Sequence, residues 1–221
     1  MVRRVLGFLL AGLLFAAGLS APRPSNAADF DFYVLSLSWS PTWCAAHDPD
    51  GQTPQCNGKR RYGLIVHGFW PQNEHGWPQD CRSSEPDRVP GSLLRGYYDL
   101  IPSAGLAGHE WRKHGTCSGL SQQRYFGQLR AAFAKIQMPP VIFNGSINRR
   151  LKSGDIEDLM MSFNPGLQKD GIAVTCDNGQ LAEIRICMTK SLDFRACTEV
   201  NRQACRQQIL TLPSIIKGNI E

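Results

Sequence analysis

All eight cysteines of this chain lie between Cys44 and Cys205. They sit downstream of a segment that reads as an export leader. Arg3 and Arg4 are followed by a Leu-rich apolar stretch from Val5 to Leu19, too short for a comfortable membrane span. Ser25-Asn26-Ala27 then supplies small residues for a cleavage site. An even number of cysteines in an exported chain reads as four disulfides formed in an oxidising compartment. The residues alone leave about 105 pairings open.

Removal of residues 1–27 would leave residues 28–221, or 194 residues, as one domain able to bury a core. The leader takes three arginines and no acid with it, so the formal charge falls from +5 to +2. No basic run exceeds Lys59-Arg60-Arg61, and Arg149-Arg150 with Lys152 read as a solvated face. Such a weak field does not hold a polyanion everywhere, so any nucleic acid would be bound locally, in a cleft. The sequon Asn144-Gly145-Ser146 matters only in a glycosylating host.

The patterning predicts an α+β fold. Phe30 to Trp39 and Tyr62 to His67 read as strands, the second stopped by Gly68 and Pro71. Pro41 to Arg61 reads as a loop, and Pro71 to Gly91 as an irregular segment long enough to be functional. A short helix over Ser92 to Leu100 would be capped by Ser92. Phe126, Leu129, Phe133 and Ile136 recur at helical spacing within Ser121 to Ile136, a core-facing pattern. Asp155 to Phe163 reads as another helix. Gly171 to Cys176 and Leu181 to Met188 flank the turn Asp177-Asn178-Gly179, a hairpin signal that points to a mainly antiparallel sheet.

Two stretches carry chemistry. The first is His67-Gly68-Phe69-Trp70-Pro71, at the end of the second strand, where His67 shares a face with Ile65. Trp70 and Trp77 behind it suit the stacking of a flat ring. The second stretch is His109-Glu110-Trp111-Arg112-Lys113-His114-Gly115-Thr116-Cys117. As a helical turn it offers His109, Glu110, Lys113 and His114 on one face, with Trp111 turned to the core and Gly115 as the stop. His109-Glu110 opens like a zinc-protease motif, but that motif needs its second His at position 113, which is lysine. No metal and no cofactor are expected.

In this order and at this separation, the two stretches resemble the two active-site segments of the ribonuclease T(2) family. The resemblance begins at Phe30-Asp31-Phe32-Tyr33-Val34-Leu35-Ser36-Leu37-Ser38-Trp39-Ser40-Pro41 and runs through the cysteine pattern at the C-terminal end. It implies a T(2)-like fold with packed helices on the sheet. It also implies the pairs Cys44–Cys56, Cys81–Cys117, Cys176–Cys205 and Cys187–Cys197. The expected activity is metal-free endonucleolytic cleavage of single-stranded RNA through a 2′,3′-cyclic phosphate, by a monomeric periplasmic or extracellular bacterial protein.

The resemblance further implies roles for single residues. His67 and His114 are the acid–base pair; the order read here is His114 as base and His67 as acid, and the reverse order stays open. Lys113 stabilises the phosphorane, Glu110 orients the cationic groups and His109 holds phosphate. Trp70 lines a base pocket, with Gln72, Asn73 and Trp77 as further base contacts. His47 and His75 are read as solvated. Plant members often carry Gln where this chain has Ser38, and broad base specificity is expected. The alternative is a secreted, non-catalytic RNA-binding or host-interaction protein on the same fold.

Overall fold

The computed structural model describes residues 29–57, 60–143, 147–205 and 209–215. The leader and the sequon therefore lie outside the described residues. Six strands run in chain order as β1 (Phe32–Trp39), β2 (Leu64–Gln72), β3 (Arg149–Leu151), β4 (Ile172–Asp177), β5 (Gln180–Met188) and β6 (Leu210–Leu212). The α-helices are α1 (Ser40–His47), α2 (Gly91–Leu94), α3 (Ala104–Lys113), α4 (Gln122–Ala134), α5 (Pro140–Phe143), α6 (Ser153–Phe163) and α7 (Thr198–Asn201). The sheet order is β2-β1-β5-β6-β3, with β4 also paired to β5. Every pairing is antiparallel except a single parallel contact between β5 and β6. The α+β reading and the mainly antiparallel sheet are therefore correct.

The central strand β1 shows how the sheet separates core from site. Tyr33, Leu35, Leu37 and Trp39 alternate into the main core beside Val66, Phe69, Ile184 and Ile186. The opposite face begins with Phe32 and Val34, packed with Cys187, Cys197 and Val200, and then shrinks to Ser36 and Ser38. The narrowing leaves room for long polar side chains from the neighbouring strand, because Arg185 lies opposite Ser36 and Glu183 opposite Ser38. On the core side, α4 delivers Tyr125, Phe126 and Leu129, all fully buried, from the predicted helix. The β4–β5 hairpin turns at Asn178 and Gly179, both at positive φ (46° and 75°), the backbone a two-residue Asn-Gly turn requires.

Several boundaries differ from the sequence reading. The expected loop after β1 opens with α1, whose proline in the first turn costs no hydrogen bond because that amide has no helical partner. Strand β2 does not stop at Gly68 or Pro71 but continues to Gln72. It is the edge strand of the sheet, where a missing amide donor is tolerated. Helix α2 begins at Gly91 rather than at a Ser92 cap and lasts one turn, held by the Pro90 carbonyl. Gly115 opens a 3₁₀ turn (Gly115–Ser118) instead of ending the helix, and the left-handed residue comes later, at Gly119 (φ 71°). What Gly115 supplies is space, since a Cβ there would lie 2.4 Å from the Trp111 ring. The short strands β3 and β6 were too brief to show a period.

The four disulfides join Cys44–Cys56, Cys81–Cys117, Cys176–Cys205 and Cys187–Cys197. Among the described residues, no helix is long and apolar enough to cross a membrane.

Candidate active site

The site forms where β2 passes α3. Across the β1–β2 ladder Ser36 faces Gly68 while Leu37 faces Val66, so His67 is an extra residue without a partner. It is a β-bulge, a one-residue insertion that bends the strand locally and re-aims a side chain. Val66 and Phe69 stay in the core, and His67 is turned out, half-buried, into the cleft that α3 borders.

Helix α3 starts at a Ser103 cap, whose hydroxyl accepts the Leu106 amide at 3.2 Å. Its last turn carries His109, Glu110 and Lys113, and His114 is the C-cap. Trp111 points to the core as read, fully buried, and donates to the Pro86 carbonyl at 2.9 Å. That bond, the Asp80 amide on the Lys113 carbonyl (2.8 Å) and the Cys81–Cys117 disulfide tie the irregular segment after β2 onto the end of α3.

The elements enclose a cleft of about 350 Å³. His67, His109, Glu110, Lys113 and His114 all line it, together with Trp70, Gln72 and Trp77. Asn73 does not line it and is placed in a turn, its amide bonded to the Gly76 carbonyl. Gln72 donates to the same carbonyl at 2.9 Å, so its amide head braces that turn. Trp77 is half exposed and free to stack. Trp70 is not the open platform the sequence suggested. Its ring sits 5.5 Å from His67 and 5.4 Å from His114, and its indole N–H donates to Glu110 Oε2 at 2.7 Å. Gly68 makes that approach possible, because a Cβ there would lie 1.9 Å from Trp70 Nε1 and 2.2 Å from Glu110 Oε2. His47 and His75 are exposed, as read.

Two groups were missed. Glu183 bonds His67 Nδ1, and Arg185 bonds Glu183 through Nε (2.8 Å) and Nη2 (2.7 Å). Arg185 also lies over the Trp70 ring at 5.3 Å. The signal was present in Leu181–Met188, where Glu183 and Arg185 alternate with the core residues Ile184 and Ile186. Two charges on a strand of this kind read as solvent-facing until the packing is known.

The histidines are pushed in opposite directions. Burial disfavours the His67 cation, but the Glu183 hydrogen bond and charge, with Glu110 at 3.7 Å from Nε2, outweigh it and raise its pKa above the ordinary imidazole value. His114 is lowered to about 3 by burial, then by the charges of Lys113, His109 and His67. Its Nδ1 is buried without a hydrogen-bond partner, and the residue lines the cleft. Burial raises Glu110, opposed by His67, the Trp70 bond and Lys113. Glu183, despite burial, is held down at about 2 by His67 and Arg185. Among the described residues, no three His, Cys, Asp or Glu side chains are grouped to hold a metal ion.

A disulfide-linked α+β fold here brings two unlike histidines, a lysine and a carboxylate into one cleft. Residues 30–197 match the model of the Ribonuclease T2 family, and the chain belongs to that family. A ribonuclease of Aeromonas hydrophila is 40% identical over 119 residues, 53% of this chain and 52% of that protein. A probable ribonuclease of Haemophilus influenzae is 30% identical over 182 residues, 77% of this chain and 62% of that one. The chain thus spans about half to three-fifths of the length of these two relatives. An RNase-related protein from Calystegia sepium has the same fold, with a TM-score of 0.69 at 19% identity over 85% of this chain and 99% of that one.

Proposed function

We propose that this chain is a metal-independent endoribonuclease that cleaves single-stranded RNA by internal attack of the ribose 2′-hydroxyl. The reading rests on one observation: two histidines of opposite protonation preference flank the Trp70 ring in a single cleft. Paired proton transfer needs one neutral and one protonated group, and the opposite shifts of His67 and His114 support that division.

His114, neutral, takes the 2′-hydroxyl proton as that oxygen bonds to phosphorus. His67, protonated, gives its proton to the departing 5′-oxygen as the P–O5′ bond breaks. The product is a 2′,3′-cyclic phosphate. Hydrolysis to a 3′-phosphate runs the same transfers in reverse, with water in place of the 5′-oxygen. Lys113 offsets charge on the phosphorane oxygens, and His109 binds the phosphate. Glu110, held by Trp70, keeps a carboxylate near the His67 Nε2 proton.

A second cavity of about 310 Å³, bounded by Trp43, Ile65, Ser103 and Leu106, shares His67 and His109 with the first. Two cavities meeting at the phosphate-handling groups suit nucleosides on either side of one scissile bond. The leader pattern and the disulfides support an exported, periplasmic or extracellular protein.

The test is a timed digest of single-stranded RNA in excess chelator, followed by mass spectrometry. Cyclic phosphate ends should appear first and 3′-phosphates later, and a strand lacking 2′-hydroxyls should bind but stay whole. Cleavage that stops with chelation, or cuts DNA at a comparable rate, would overturn the mechanism.

A further inference from the structure

We infer that Glu183 is a positioning residue for His67, one that fixes the imidazole with Nδ1–H bound to the sheet and Nε2 presented to the substrate. The inference rests on the acid–base reading of His67 given above and deepens it.

The geometry carries it. A histidine on a β-bulge has lost the ladder partner that would otherwise fix its backbone neighbour, and its ring has two rotatable bonds. Within β2 the ring meets Trp70 edge-on, 5.5 Å between centroids, a contact that makes no hydrogen bond to Nδ1. The hold comes from β5, two strands away in the sheet, where Glu183 Oε1 binds His67 Nδ1. The small side chain of Ser38 on the intervening β1 lies opposite Glu183. Glu183 is itself fixed, because Arg185 occupies its other oxygen through two nitrogens. Arg185 in turn is held by Gln203 and by the face of Trp70. The contacts run from half-buried His67 through buried Glu183 to partly buried Arg185 and exposed Gln203, and they favour one orientation of the ring.

The orientation decides the chemistry. An imidazole has one N–H in its neutral form, and the partner of one nitrogen sets the state of the other. An ionised carboxylate on Nδ1 keeps the proton there, so the proton that comes and goes during turnover is the one on Nε2, the nitrogen on the cleft side. The charged groups facing His67 are Glu183 and Arg185 from β5, and Glu110 from α3, with Lys113, His109 and His114 also lining the cleft. Of these, only Glu183 touches Nδ1. It does not reach the substrate and acts through His67.

Two variants separate orientation from charge. Glu183→Gln keeps an oxygen that can accept from Nδ1–H but removes the charge, whereas Glu183→Ala removes both. For Glu183→Gln, the alkaline limb of the kcat/KM profile should move to lower pH, toward the ordinary imidazole value of about 6.5, with KM little changed. Glu183→Ala should lose more turnover, up to the loss on removing His67, roughly 10²–10⁴-fold. Glu183→Asp should recover part of it. Nitrogen chemical shifts of the His67 ring should report Nδ1–H throughout the titration of the unaltered protein and of Glu183→Gln, and a mixture of tautomers in Glu183→Ala. The unaltered protein needs no variant to fold, so a mixed tautomer there overturns the inference on its own. An unmoved alkaline limb in folded Glu183→Gln, while His67→Ala is inactive, overturns it and leaves the acid–base reading standing. A fully active His67→Ala overturns the underlying reading instead.

Discussion

Gly68→Ala is the most informative single change the site offers. Gly68 does not have a positive φ, so alanine meets no backbone penalty there, and the whole effect is steric. The added methyl would fall 1.9 Å from Trp70 Nε1 and 2.2 Å from Glu110 Oε2, the two atoms that share the 2.7 Å hydrogen bond. Both cannot stay. Overpacking of a filled site costs about 1–3 kcal/mol, and a hydrogen bond to a charged group contributes roughly 1.5–3 kcal/mol. The upper range is then about 2.5–6 kcal/mol. At about 2–4 °C per kcal/mol for a domain of this size, the unfolding midpoint should fall by roughly 5–24 °C. Turnover should fall as well, because Glu110 is displaced from His67.

The assay is chemical denaturation of Gly68→Ala, Trp70→Phe and the double variant. Phenylalanine lacks the Nε1 atom that the new methyl would strike, so part of the penalty is relieved when both changes are present. The coupling should be roughly 0.5–3 kcal/mol, in the sense that the pair costs less than its sum. Strict additivity, or a Gly68→Ala cost within about 0.5 kcal/mol of zero, would refute the close approach.

The pH–rate profile should be a broad plateau on the acid side of neutral. The general acid is lost as pH rises through the raised pKa of His67, above 6.5, and the general base as pH falls through that of His114, about 3. Glu110, raised by burial, loses its charge at a higher pH than an ordinary carboxylate and should draw out the acid limb. His67→Ala and His114→Ala should each remove roughly 10²–10⁴-fold of kcat, and Lys113→Ala and Glu110→Gln should lower it with folding intact. His47→Ala and His75→Ala should be nearly silent, and losses there equal to the catalytic pair in folded protein would sink the assignment. Replacing Cys81 and Cys117 with serine should destabilise the fold by roughly 3–4 kcal/mol on the loop-entropy estimate, with activity lost at a lower temperature than bulk unfolding.

What could be read from the sequence follows the range of the interactions involved. Helix α4 was legible because Phe126, Leu129 and Phe133 repeat at its period, and the β4–β5 turn because Asn178-Gly179 meets a local backbone demand. His67 and the last turn of α3 were legible because local motifs carry them. Glu183 was not, since its meaning depends on a histidine 116 residues away and on β1 lying between them. The end of β2 was misplaced because Pro71 breaks a strand only where its amide is needed, and edge position is a property of the sheet. Helix α1 went unseen because its cysteine-closed surroundings look like loop, and propensity over eight residues is a weak signal.

The bulge at His67 has an evolutionary corollary. Without that one residue, Val66, Gly68 and Phe69 would fall opposite Leu37, Ser36 and Leu35 in unbroken register. The proposed general acid is thus surplus to the ladder, and loss of a single codon would regularise the sheet while removing that group. A lineage could shed activity in this way and keep the scaffold, its disulfides and its cleft intact. A descendant of that kind would be spotted by counting the residues between Val66 and Phe69, before any assay was run.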